Sequence, residues 1–263
     1  MADATLRLDA LDEEGRAALR RLIVTLADSK RLMGIRYSDW LLGAPSIETG
    51  IAASSMAQDE WGHARLLYAM LKDLDLDPLA LEHDRAAAEY ASIGALDGPF
   101  PDWAAVVAAM VVVDGALSAM LRSFAGGSYE AARGRVPKML AEEEFHASLA
   151  AAWYRRLAGA AEEARTLLAK ATQAMLPPAL AWLGAADAPA QAMVEAGVVA
   201  RAEARLERFR SDVGELLAEA GVDVAAVRPA TDWDASRGRT EGAPDEEAVE
   251  RARGDRNRAL FVE

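Results

Sequence analysis

Long stretches of the chain place apolar residues three and four positions apart, the spacing of one helix face, and turn residues punctuate them. The first stretch predicts a helix from about Asp12 to Leu42. Gly43, Ala44 and Pro45 end it, because proline disfavours helical geometry in the residue before it. Ser46 is a good N-cap for a second helix running to about Leu74. Asp77 and Pro78 then break the chain. A short helix is expected over Leu79 to Ala91, and Gly98, Pro99 and Pro101 make the next loop. A third helix starts near Asp102 and stops before Gly126. A fourth occupies Tyr129 to Leu157, with Pro137 as a start or a kink. Pro177 and Pro178 are expected to end a helix over Ala161 to Met175, and another runs from Ala190 to Ala220. Beyond Gly221 the chain turns polar, and Asp245 to Phe261 reads as a last amphipathic helix.

Four long helices with two short connections and one longer middle connection predict an all-α four-helix bundle with additional C-terminal helices. In this reading residues 1–227 form the bundle domain and residues 228–263 a polar extension with a short helix.

Composition sharpens the picture. Alanine dominates the apolar residues and aromatics are only 6%, which favours closely packed helices and gives strands little support. A net charge of −13 repels phosphate backbones, so nucleic-acid binding is not expected. With no cysteine, disulfides are excluded, which is compatible with a reducing cytoplasm. No basic segment leads into an apolar one at the N-terminus. The longest apolar run, Ala104 to Val113, is too short for a bilayer and ends at Asp114. A soluble cytoplasmic protein without membrane contact is the expectation. Walker loops, Gly-x-Gly-x-x-Gly and nucleophile elbows are missing, which leaves nucleotide-binding and hydrolase classes without support.

The candidate chemistry lies in the histidines. Of three, His63 and His146 each follow a glutamate by three residues, as Glu60/His63 and Glu143/His146. On a helix, positions i and i+3 share a face, so each pair aims a carboxylate and an imidazole at one spot. Met56 and Met139 precede the glutamates by four residues, which puts both pairs on core-facing stripes. An unpaired buried carboxylate is costly, so either a metal cluster or a network of ion pairs must meet them. In di-iron carboxylate bundles two helices supply Glu-x-x-His and the other two supply a carboxylate each. Asp114, alone after a long apolar run, is the acid that the third helix offers. Helix one offers Asp28 and Asp39 with Lys30 between them, and the sequence does not decide which faces inward. Trp61, Trp153 and Tyr154 read as core residues, and Arg20, Arg21, Arg31, Arg36, Arg155, Arg156 and His83 as surface.

These residues identify a resemblance to the phenylacetic acid catabolic family, the ferritin-like subunits of the multicomponent phenylacetyl-CoA epoxidase. It rests on Ala44-Pro45, Gln58-Asp59-Glu60-x-Gly62-His63, Val113-Asp114-Gly115-Ala116 and Glu142-Glu143-x-Phe145-His146, over about Leu22 to Tyr154. The resemblance implies a di-iron, O2-activating oxygenase component acting on an acyl-CoA, with electrons from a separate reductase. It also implies pairing as a homodimer or with a related ferritin-like subunit. Glu60, His63, Asp114, Glu143 and His146 match five metal ligands of the catalytic subunit. The sixth, a glutamate after a serine on helix one, falls at Lys30 after Ser29. Lys30 is therefore the candidate on which catalysis turns. Its ammonium pairs with Glu60, Asp114 or Glu143, or it coordinates metal as the free amine, or it faces outward and Asp28 or another group serves. The resemblance thus leaves a di-iron oxygenase component, a non-catalytic scaffold subunit with a relic of the site, and a stand-alone iron-binding protein as the readings.

Overall fold

A computed structural model describes Leu6 and residues 8–254. Within them the chain forms α1 (Glu13–Ser38), α2 (Ile47–Met70), α3 (Pro78–His83), α4 (Trp103–Ala125), α5 (Glu130–Ala158), α6 (Glu162–Leu183), α7 (Ala188–Glu195), α8 (Ala202–Glu219) and α9 (Glu246–Arg253). Side-chain caps start many of them. Asp12 accepts from the Gly15 N–H at 2.8 Å, Ser46 from Thr49 at 3.2 Å, and Asp102 from Ala105 at 2.8 Å. Each cap satisfies a donor that the first helical turn leaves without an internal partner.

The bundle is two helix hairpins, α1 with α2 and α4 with α5, packed together, with α6 and α8 against α4. Gly34 shows how closely α1 and α2 approach. A Cβ there would lie 2.3 Å from the Trp61 indole nitrogen and 3.0 Å from the Ala57 carbonyl oxygen, so only glycine fits. Helix α4 is apolar on every side and buried on almost every side, as a central helix must be. Among the described residues it is the one helix long and apolar enough to cross a membrane, but 94% of its apolar window is buried in the bundle.

Tertiary packing changes several expected boundaries. Helix α1 stops at Ser38, and Leu41 and Leu42 lie in the exposed turn that follows. The helix expected over Leu79 to Ala91 ends at His83, because Arg85 and the Ala91 N–H turn back to the buried Asp28 on α1. Pro177 and Pro178 do not end α6, which continues to Leu183. Their missing N–H groups would have met the carbonyls of Gln173 and Ala174, two exposed residues where water can serve, while Leu176, Ala179, Leu180 and Leu183 bury in the core. The expected Ala190–Ala220 helix divides into α7 and α8 at Gly197, whose φ of +66° is left-handed. The last helix ends at Arg253 with Gly254 in the left-handed cap conformation, and the remainder of its expected span lies outside the described residues.

Where little strand was expected, Trp233–Asp234 and Arg239–Thr240 pair as β1 and β2, an antiparallel ribbon of two residues per strand. The Asp234 carboxylate holds the turn by accepting from the Ser236 N–H at 2.9 Å. Arg239 anchors the ribbon: it is fully buried and donates to Thr240 O at 3.0 Å and Ser92 Oγ at 3.3 Å.

Candidate metal centre

Glu60 and His63 on α2, Asp114 on α4, and Glu143 and His146 on α5 converge at the centre of the bundle, each at most 3% exposed. Lys30 on α1 reaches the same point and is fully buried. Its Nζ donates to Glu60 Oε1 at 3.1 Å, Asp114 Oδ1 at 2.6 Å and Glu143 Oε1 at 2.6 Å. An ammonium has three protons, and here each has its own carboxylate. Two hydroxyls complete the cage: Tyr37 donates to Asp114 Oδ2 at 3.3 Å, and Ser118 to Glu143 Oε2 at 3.1 Å.

The two imidazoles are wired reciprocally. His63 Nε2 on α2 lies 2.7 Å from Glu142 Oε2 on α5, and His146 Nε2 on α5 lies 3.2 Å from Asp59 Oδ2 on α2. Each histidine therefore meets the acid that immediately precedes the glutamate of the opposite motif, which also shows that α2 and α5 run antiparallel. The inward atoms are the Nδ1 nitrogens: that of His63 is 3.1 Å from Glu143 Oε1, and that of His146 is 3.4 Å from Glu60 Oε1. Neither Nδ1 makes a well-formed hydrogen bond, so their attraction to the acids is mainly electrostatic.

Other candidates lie elsewhere. Asp28 is buried in a separate network with Arg85 and Tyr68, and Asp39 pairs with Arg251 at 2.6 Å at the end of α1. Neither joins the cluster. Arg31 and Arg36, expected at the surface, are buried, because α1 is enclosed along most of its length. They donate to Glu82 at 2.5 Å and to the Leu96 carbonyl at 2.9 Å. His83 is half-buried beside the Arg253 carbonyl, 3.1 Å away. Sequence reasoning missed Asp59, Glu142, Tyr37 and Ser118. The doubled acid-Glu-x-x-His pattern was the available signal for the first two.

Charge coupling follows from the burial. Burial opposes the charge on Lys30, but Asp114, Glu143 and Glu60 overcome it and hold the ammonium well above its ordinary range. Burial, reinforced by Asp114 and partly offset by Lys30, pushes Glu60 up to about 7. Asp114 moves the other way: burial raises it, yet the charges of Lys30 and His146 outweigh that and hold it below its ordinary value. For His146, burial is outweighed by Asp114 and Glu60, and its pKa is pushed up to about 11.

A pH dependence follows. The folded chain keeps the His146 proton between its ordinary 6.5 and about 11, where the unfolded chain has lost it. This contribution is complete below 6.5 and disappears as the pH rises through 11. Glu60 has the same sign between 4.5 and about 7. Urea midpoints of the metal-free protein are expected to fall steadily from pH 7 to about pH 10, with a shallower slope in His146→Gln. Equal slopes for the two proteins would contradict the coupling.

Glu60, Asp114, Glu143 and His146 each offer a ligand atom, all within 4.8 Å of one another, so this cluster could hold a metal ion. The inward Nδ1 atoms backed by outer carboxylates, and the unpartnered Glu60 Oε2, suit such an ion. A di-iron cluster does not fit with Lys30 in this place. The ammonium occupies the centre, repels cations and already uses three carboxylates that would have to hold them. None of the curated proteins compared with this chain matches it. The model of one family, described as phenylacetic acid catabolic protein, matches residues 4–256. That match spans nearly the whole sequence, including every residue of the buried cluster: the chain belongs to the phenylacetic acid catabolic protein family.

Proposed function

We propose that this protein is a non-catalytic, structural subunit of a multicomponent oxygenase of phenylacetate catabolism, in which the Lys30 ammonium takes the place of metal. The observation that carries this reading is the three-way contact of Lys30 Nζ with Glu60, Asp114 and Glu143 at 3.1, 2.6 and 2.6 Å. A fixed internal cation neutralises acids that would otherwise require metal or protons, so the bundle is complete without iron. In this reading the partner is a related ferritin-like subunit that carries the full ligand set, and the reductase and acyl-CoA substrate belong to that subunit's reaction.

A second reading, an iron-loaded oxygenase component acting on a phenylacetyl-CoA-like thioester, is favoured by one observation. Both histidines keep an inward Nδ1 and an outer carboxylate, the arrangement that orients a metal ligand. Iron analysis of protein from iron-replete cells separates the two. The structural subunit is expected to hold far less than one iron per chain, whereas about two per chain, the content of a di-iron bundle, would overturn it.

A further inference from the structure

We propose that the cavity between α1, α7, the turn of the β-ribbon and the link from α3 to α4 binds a linear amphiphile, an alkyl chain ending in one carboxylate. The inference is independent of the Lys30 reading, since no residue of the buried cluster lines this cavity. Its volume is about 710 Å³, within the range of small-molecule sites. Ala17, Ala18, Val24, Leu81, Ala88 and Ala192 give it small aliphatic walls. Along α1 it extends from Glu14 to Val24, about 15 Å at the rise of a helix. A trough of this length and lining suits an alkyl chain.

Four arginines stand around these walls, and only two are matched by acids. Arg21 pairs with Asp187 at 2.5 Å, and Arg85 donates to Asp28 at 2.9 Å. Arg237 donates only to carbonyl oxygens, that of Tyr90 at 2.9 Å and that of Gly242 at 2.6 Å. Among the described residues, neither Arg237 nor Arg20 has a carboxylate within ion-pair distance. A guanidinium carries five N–H groups, so Arg237 keeps donors for a ligand carboxylate. Ala91, next to the Tyr90 carbonyl that fixes Arg237, donates its N–H to Asp28, one turn beyond Val24 on α1. Arg237 therefore stands at the Val24 end, and the aliphatic walls run away from it toward Glu14.

Charges and rings select this ligand over others. Glu14 and Glu89 are exposed at the rim and repel a ligand with several negative charges, which favours a monoanion over a phosphate ester. Tyr90 is the one aromatic residue of the lining, and the Arg85 guanidinium covers its ring at 4.7 Å. A nucleotide base would find no free ring face on which to stack. An alkyl chain needs none, and gains from each methylene that it buries.

Isothermal titration calorimetry of the full chain with hexanoate, octanoate and decanoate, each below its micelle concentration, tests this. Saturation at one site per chain is expected, with affinity rising about fourfold for each added methylene. Decanol should bind about tenfold more weakly than decanoate, and AMP should not bind. Arg237→Met should raise the decanoate dissociation constant about tenfold and leave that of decanol unchanged. Ala17→Trp, at an exposed position on the wall, should fill the trough and weaken both ligands, with an unchanged far-ultraviolet circular dichroism spectrum. Absence of saturable decanoate binding would overturn the proposal. So would an affinity that does not rise with chain length, decanoate binding that neither variant weakens, or displacement of decanoate by AMP.

Discussion

Replacing Lys30 by methionine is expected to lower folding stability by about 3–5 kcal/mol at pH 8, the cost of breaking a buried ion pair by removing one partner. The physical reason is the geometry of the cage. Methionine keeps most of the volume but leaves Glu60, Asp114 and Glu143 facing one another without the cation that now satisfies all three. Two agents can relieve that repulsion. Protons can, so the loss should be smaller at pH 5, where Glu60 takes one up first because burial and Asp114 raise its pKa to about 7. A divalent cation can as well, so the variant should regain stability on addition of Fe(II) or Zn(II) while the parent protein gains little. Lys30→Glu is expected to go further: least stable without metal, and the tightest binder with it, because it supplies a fourth carboxylate in place of the ammonium. Urea unfolding with and without metal, together with metal analysis of each variant, measures all of this. Unchanged stability in Lys30→Met would mean that the ammonium does not hold the cage together, and the structural reading would fall with it.

Asp28→Asn is expected to cost a similar amount, about 3–5 kcal/mol, for a different reason. The Asp28 carboxylate is fully buried and receives the Tyr68 hydroxyl, two nitrogens of the Arg85 guanidinium and the Ala91 N–H. Arg85 also lies over the Tyr90 ring, 4.7 Å from its centroid. Residues 84–91, the first part of the link from α3 to α4, are thereby tied to α1 through one side chain, and the next part is held by Ser29 Oγ, which accepts from the Ile93 N–H at 3.1 Å, and by Arg36, which donates to the Leu96 carbonyl at 2.9 Å. Asparagine removes the negative charge and one acceptor, stranding a guanidinium that is largely enclosed. Removing that guanidinium too should recover part of the loss, so Asp28→Asn with Arg85→Met should be more stable than Asp28→Asn alone. Hydrogen exchange should locate the damage: amides of Ala91 and Ile93 should exchange faster, while those within α4 keep their protection. A single variant with normal stability and normal exchange would show that this network does not secure the connection.

Much of the architecture was legible in the sequence because it depends on local rules. Helix starts follow from side chains that cap their own first turn, as Asp12, Ser46 and Asp102 do, and no distant residue is needed to predict them. The inward face of α2 and α5 follows from the spacing of Met56, Glu60, His63 and Leu67, and of Met139, Glu143, His146 and Ala150. The end of α6 is not set by local rules: two prolines dominate the local signal, whereas burial of Leu176, Leu180 and Leu183 is a tertiary gain that carries the helix past them.

What the sequence by itself determined is therefore the helices, their caps and the two acid-Glu-x-x-His faces. What lies across from those faces was decided by the tertiary structure. Periodicity says which side of a helix is buried, not which group from another helix arrives there. On α1, Asp28 and Lys30 are both buried and only two residues apart, yet one meets Arg85 and Tyr68 while the other meets Glu60, Asp114 and Glu143. Two residues along a helix turn the side chain by about 200°, so packing of the hairpins selected which of them faces the acids. The crossed pairs His63 with Glu142 and His146 with Asp59 depend likewise on the antiparallel register of α2 and α5, which no spacing within either helix encodes.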